Sequence, residues 1–327
     1  MFTVTLYMRE ECHLCERAVA DLNSLQEQYP HQLVQIDVEK EGLGEYLEKI
    51  PVIEIGPYKI SSPIDKQKIS ITLGAAQDRH NQLEIVDSKV HQKRLKRGKS
   101  VNFWDRFFYW LSRRYMVAFN LFAFVYLGLA FLAPVMLANG NHRSANLIYN
   151  VYSRLCHQLA YRSWFLFGEQ AAYPREMANI EGLATYEEAT GLDPYDVQEA
   201  FALRGNQTLG YKVALCQRDV AIYGSILLFG LLFSLTKRKI PTLSLTAWIV
   251  LGLVPIGLDG VSQIISQLPC DILPVRESTP LLRTITGTLF GFSTAWFSYP
   301  IIEEAMVETR KVLSIKIKAS QLQNGTL

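Results

Sequence analysis

Residues 2–22 read FTVTLYMREECHLCERAVADL, and this stretch decides the fold of the N-terminal part of the chain. The run Phe2 to Met8 has the short apolar character of a buried strand. Ala18, Val19, Leu22 and Leu25 then recur on one face of a helix predicted over 15–28. A second strand is predicted at 33–38, which completes a βαβ unit. Cys12 and Cys15 stand at the strand-to-helix turn with two residues between them. A thiolate at Cys12 would meet the partial positive charge of a helix N-terminus, and Cys15, one turn on, could resolve a mixed disulfide. Glu10, Glu11 and Glu16 oppose that thiolate, with Arg9 and Arg17 in partial offset, so a mild, reducing couple is expected.

Downstream, Ile50-Pro51-Val52-Ile53-Glu54-Ile55 reads as a strand opening at an X-Pro step, and a helical tail closes the module near residue 86. With a Cys-His-Leu-Cys motif at a strand-to-helix turn and a proline before the third strand, residues 1–86 resemble the glutaredoxin-like branch of the thioredoxin fold. The resemblance implies a cis bond before Pro51, Cys12 as nucleophile, Cys15 as resolving thiol, and Pro51 as a wall of the substrate groove. The family's glutathione-binding Gly-Gly-x-Asp is missing, because the matching stretches read Gly56-Pro57-Tyr58-Lys59 and Ser62-Pro63-Ile64-Asp65. Half of a zinc site is a duller reading of the cysteine pair, but no second pair lies within the module. Copper chaperones carry Met two residues before the first Cys, whereas Met8 lies four before Cys12.

The rest of the chain has the pattern of a membrane protein. Its 327 residues are about twice an ordinary domain length, and 33 Lys plus Arg nearly balance 31 Asp plus Glu. Bulk charge therefore implies neither a nucleic acid nor a strongly acidic partner. A crossing needs about 20 apolar residues, and four are predicted, at 116–137, 213–235, 243–265 and 281–302. Lys89, Lys93, Arg94, Lys96, Arg97 and Lys99, then Phe103, Trp104, Phe107, Phe108, Tyr109 and Trp110, precede the first. They read as a basic, amphipathic juxtamembrane linker over 87–114. Lys237-Arg238-Lys239 separates the second and third crossings, and Arg310, Lys311, Lys316 and Lys318 follow the fourth. The Lys/Arg bias puts all three basic segments and both termini on the cytoplasmic side of the plasma membrane. Met1 to Met8 lacks the basic start of a signal peptide. The expected division is a thiol domain at 1–86, the linker, a membrane domain at 115–303 with an outer cap at 138–212, and a cytoplasmic tail at 304–327.

On this topology Cys156, Cys216 and Cys270 fall on the outer side, about 30 Å of hydrocarbon away from Cys12 and Cys15. Cys216, Asp219 and Tyr223 share one helical face, as do Asp259 and Gln263. Arg283 opens the last crossing, followed by Gly287 and Gly291 as a stripe for close helix packing. Ionisable groups in membrane helices face the bundle interior, so Arg218, Asp219, Asp259, Gln263 and Arg283 are expected in one polar cluster. Cys156-His157-Gln158 and Tyr161-Arg162-Ser163 enter the same layer. Two short cap helices are predicted, at 185–189 ending at Gly191, and at 194–203 capped by Asp193.

With Cys156-His157-Gln158, Arg162-Ser163, Cys216-Gln217-Arg218, Ile222-Tyr223-Gly224, Asp259-Gly260 and Arg283 ahead of Gly287, residues 150–291 resemble an uncharacterised bacterial and archaeal membrane-protein family. Many of its members have Cys where this chain has Asp219, which completes a set suited to zinc. Here the set is Cys156, His157, Cys216 and Asp219, which is harder. Three accounts stay open: a Cys156–Cys216 disulfide, a divalent metal such as zinc, or a redox-active thiol site. Cys270 leaves an odd thiol.

The fold class expected is an α/β thioredoxin-like domain plus an all-α four-span transmembrane bundle, with the lipid bilayer as partner. One function is a membrane-tethered thiol–disulfide oxidoreductase serving a cytoplasmic thiol or disulfide protein. The other is not an enzyme: a bundle that binds or moves a metal ion or small solute through the outer cluster, with the thiol module sensing at the inner face.

Overall fold

The computed structural model of the chain describes residues 2–85, 100–268 and 274–323. The basic residues Lys89 to Lys99 and Cys270 lie outside them. The chain divides into two units, Met1–Tyr115 with Glu304–Leu327, and Met116–Glu303.

In the first unit β1 (Phe2–Met8), α1 (His13–Ser24) and β2 (His31–Asp37) form the βαβ unit. A 3-10 turn at Gly44–Tyr46 then leads to β3 (Val52–Ile55), β4 (Tyr58–Ser61) and α2 (Lys66–Ile85). The sheet runs β2-β1-β3-β4, with β1 and β2 parallel and the other pairs antiparallel. On one face Val4, Leu6, Ile53 and Ile55 pack against Ala18 and Leu22 of α1 and Ile69 and Leu73 of α2. Alternation along the strands leaves Tyr7, Val34, Ile36 and Val52 needing cover on the other. The segment between β2 and β3 supplies part of it through Leu43, Tyr46, Leu47 and Ile50. Val307, Ile315 and Ala319 of the last helix supply the rest. Gln32 Nε2 donates to the Ala319 carbonyl at 2.8 Å beside them.

The helix α3 (Phe103–Ala138) contributes to both units, as does α9 (Pro280–Gln323). Between them the second unit contains α4 (His142–Tyr152), β5 (Ser163–Leu166), α5 (Tyr186–Thr190), α6 (Val197–Ala202), β6 (Gly205–Asn206), β7 (Gly210–Cys216) and α7 (Gln217–Leu235). The helix α8 spans Leu245–Ser266, with a π turn at Ile249–Leu253 just ahead of Pro255, whose ring cannot follow an unbroken α-helical turn. Among the described residues, α3, α7 and α8 are long and apolar enough to cross a membrane. The fourth expected crossing is helical but does not join them, because Arg283 and the hydroxyl residues from Thr284 to Ser298 dilute it.

The second crossing also begins later than its apolar run suggests. Residues 213–216 belong to β7, which pairs antiparallel with β5 and β6, so this unit is not all-α. Val213, Ala214 and Leu215 are wholly buried there, and so short an apolar run reads equally as strand or helix. In the cap, Thr185 and Glu188 form a reciprocal capping box on α5, and Gly191 closes it at φ 66°. The second cap helix starts late: Asp196, not Asp193, caps α6 by accepting from the Gln198 and Glu199 amides. Asp193 accepts from Tyr195 N and holds a turn instead. The glycine stripe packs as its spacing predicts. A Cβ at Gly287 would stand 2.8 Å from the Arg218 carbonyl oxygen, and one at Gly291 would strike that of Ile222, so α9 lies against α7.

Candidate functional site

Cys12 and Cys15 form a disulfide. Cys12 is also the cap of α1, its sulfur accepting from Cys15 N at 3.2 Å. That amide, which also donates to the Cys12 carbonyl at 2.9 Å, points from the helix start at the sulfur and favours a thiolate once the bond is reduced. Cys12 is half-buried and Cys15 wholly buried, while Leu14 between them is exposed. The neighbouring acids are partly drawn away: Lys40 pairs with Glu10 and Asp37, and His13 Nδ1 lies 3.4 Å from Glu16. The Ile50–Pro51 bond is cis. The pairing of Tyr7 with Val52 puts Pro51 at the end of the sheet from which β1 leads into the Cys12 loop.

In the second unit the pairing of Ser163 with Cys216 brings Cys216 beside the segment that carries Cys156. Both are free thiols, so no disulfide joins them. Their sulfurs and an Asp219 carboxylate oxygen lie within 4.8 Å of one another. Cys216 caps α7, accepting from Asp219 N at 3.4 Å. The hydrogen bond from Cys156 to Cys216, together with burial, raises the Cys156 thiol, and the same bond lowers that of Cys216. His157 is exposed and outside this group of three. It lines the adjoining cavity of about 390 Å³, with Cys156, Arg162, Arg218, Gln263 and Arg283.

The residues expected in one polar cluster are divided around two acids. Asp259 accepts from Arg218 at 2.5 Å, Arg276 at 3.0 Å and Ser278 at 2.9 Å. Gln263 shares its buried helix face. Arg283 pairs with Glu277 rather than with either aspartate, and Arg162, at 3.0 Å, and Arg175 join it there. Asp219 sits with the thiols. The carboxylates of Asp259 and Glu277 are only 2% and 1% exposed, and such burial is tolerated because each is paired several times over.

Glu277, Arg175, Arg276 and Ser278 escaped the sequence reading. Glu277 carried a signal, since a carboxylate within a few residues of an apolar helix demands a partner. Arg175 carried none, because it stands 102 positions from Glu277. Lys212, inside the apolar run of β7, is a further missed group. Its ammonium donates to the carbonyls of Gln158 at 2.6 Å, Phe201 at 2.8 Å and Ala200 at 3.4 Å.

Residues 3–96 match the family described as "Glutaredoxin-like domain (DUF836)", and residues 203–297 match the family described as "Predicted membrane protein (DUF2085)". The chain thus joins a glutaredoxin-like domain to a membrane-protein domain. An uncharacterized protein of Methanocaldococcus jannaschii is 25% identical over 210 residues, which cover 62% of this chain and 100% of that protein. No solved structure matches.

Proposed function

We propose that this union of a glutaredoxin-like domain and a membrane-protein domain is a membrane-anchored thiol–disulfide oxidoreductase acting through Cys12 and Cys15. The observation that carries the reading is the cysteine pair itself, with an accessible Cys12 at the start of α1 and a buried Cys15 one turn on. In the reduced domain the Cys12 thiolate attacks a disulfide of a cytoplasmic protein, forming one S–S bond and releasing one substrate thiolate. Cys15 then attacks the Cys12 sulfur of the mixed disulfide, frees the second substrate thiol and closes the Cys12–Cys15 bond. Two electrons pass to the substrate, and a dithiol reductant restores the pair. Pro51, beside the Cys12 loop, forms a wall of the substrate groove, and exposed Leu14 offers it an apolar contact.

The membrane part holds this chemistry at the inner face of the plasma membrane. Four crossings with both termini cytoplasmic agree with the basic segments at both ends and between α7 and α8. The test is disulfide reduction by the full-length protein in detergent, recycled by a dithiol. Cys12→Ser should reduce turnover to background, while Cys15→Ser should accumulate a mixed disulfide. Turnover unchanged by Cys12→Ser would reject the reading.

A further inference from the structure

We propose that Cys156, Cys216 and Asp219 form a site for a thiophilic divalent cation of the zinc class, with one coordination position open to the adjoining cavity and suited to an anionic ligand. This site is separate from the Cys12 and Cys15 chemistry and stands without it.

The donor set is the first argument. Two sulfurs and a carboxylate select a borderline-soft cation, since calcium and magnesium take oxygen donors. Tetrahedral zinc with Zn–S near 2.3 Å sets its donors about 3.8 Å apart, and the three atoms here already lie within 4.8 Å. Closing that gap takes side-chain adjustments rather than a refolding of the backbone. Two pieces of local structure hold the three donors. Cys156 N bonds back to Tyr152 O at 2.9 Å at the end of α4, Cys216 caps α7, and Asp219 follows in the first turn of that helix. The β5–β7 pairing fixes the first against the other two.

Three protein donors leave one tetrahedral position, as in zinc sites that bind a water or substrate rather than purely structural ones. The surrounding charge says what would fill it. Arg162, Arg175, Arg218, Arg276 and Arg283 face Asp259 and Glu277 in ion pairs. With Asp219 that makes five positive groups against three negative, a surplus of two. A divalent cation held by two thiolates adds no net charge, so the surplus remains and favours an anion. Gln263 Nε2 and Arg218 Nε are buried without hydrogen-bond partners, on residues that line this cavity. They are donors available to such a ligand.

The test uses the full-length protein in detergent carrying Cys12→Ser and Cys15→Ser, reduced, stripped of metal and titrated with cobalt(II). Expected are a near-ultraviolet sulfur-to-cobalt band and the visible bands of a tetrahedral ion, saturating at one cobalt per chain and displaced by zinc. Cys156→Ser or Cys216→Ser should abolish the sulfur band. Asp219→Asn should keep it with cobalt affinity weakened about tenfold or more, and Cys270→Ser should leave it unchanged. Sodium azide should shift the visible bands, and bands indifferent to azide would remove the open position. A sulfur band that is absent, or that survives Cys156→Ser, overturns the site. A Cys156–Cys216 disulfide in protein purified without reductant, with no cobalt bound after its reduction, would make the pair a redox couple and also overturn it.

Discussion

Lys212 lies in β7 between Tyr211 and Val213, and its side chain ties the strand to carbonyls at residues 158, 200 and 201. Burial pushes its ammonium down from 10.5 to about 6. A neutral amine still has two N–H groups, enough for the shorter contacts to Gln158 and Phe201. Lys212→Met would take this donor from the buried Gln158 carbonyl, while the Phe201 carbonyl would keep Arg204 at 3.2 Å. A loss on the order of 1–3 kcal/mol should appear as a lower unfolding midpoint in detergent. The pH dependence has a definite sign. Above pH 6 the folded state has released a proton that the unfolded state holds up to its ordinary value of 10.5. Wild-type stability relative to Lys212→Met should therefore rise with pH through that window and fall as pH drops toward 6. A difference that stays flat between pH 6.5 and 9 would contradict the burial argument. The two buried acids offer a second comparison. Glu277→Gln leaves three guanidinium groups facing a neutral amide and Asp259→Asn leaves two. Each should cost about 3–5 kcal/mol, Glu277→Gln the more, by the same unfolding measurement. That Arg218 and Asp259 would meet in one layer was an expectation from the placement of charges inside apolar helices, whereas the three-arginine cage on Glu277 is assembled from segments far apart in sequence.

The last helix is two elements in one. Its first part needs the small residues Gly287 and Gly291 to lie against α7, and the backbone oxygens opposite them cannot move aside like a flexible side chain. Gly291→Ala should cost about 1–3 kcal/mol by overpacking, while Gly257→Ala, where a Cβ meets nothing within 4 Å, should be neutral under the same thermal unfolding. The second part, from Glu304, does what a helix between β2 and β3 would otherwise do. It carries Val307 and Ile315 onto the sheet, and its Lys311 reaches Glu54 at 3.5 Å, which Tyr7 and Tyr46 also hydrogen-bond. Truncation after Glu303 should weaken the thiol domain by about 2–4 kcal/mol, read as faster proteolysis of residues 1–85 than in the full-length protein. The βαβ unit was legible because its strand, turn and helix periods are local. The covering helix was not, since nothing near β2 announces a partner some 270 positions away. The strand β7 was hidden for another reason: Val213 to Leu215 are apolar on every side, and period alone cannot separate a buried strand from the start of a membrane helix.

At the scale of the whole molecule, the proposed number of crossings rests on parity as well as on hydropathy. Among the described residues three helices meet the demands of length and composition. Three crossings would put the two ends of the chain on opposite sides of a membrane, yet residues before Tyr115 and after Glu304 belong to one unit. An even number agrees with the proposed four-crossing topology, in which the stretch of α9 from Leu281 to Ile302 supplies the fourth. Its weaker apolar character is tolerable where Gly287 and Gly291 bury it against α7 instead of lipid. The proposed topology then follows the basic segments, with residues 1–115 and 304–323 cytoplasmic and the lobe between α4 and β7 outside. Single cysteines placed at exposed Glu48 and exposed Glu181, in a chain whose native cysteines are changed to Ser, would test it. A membrane-impermeant maleimide applied to intact cells should label the cysteine at 181 and spare the one at 48, with both labelled after permeabilisation. Labelling at 48 alone would invert the orientation, move Cys12 and Cys15 to an oxidising compartment, and turn the proposed reductant of cytoplasmic proteins into a different enzyme.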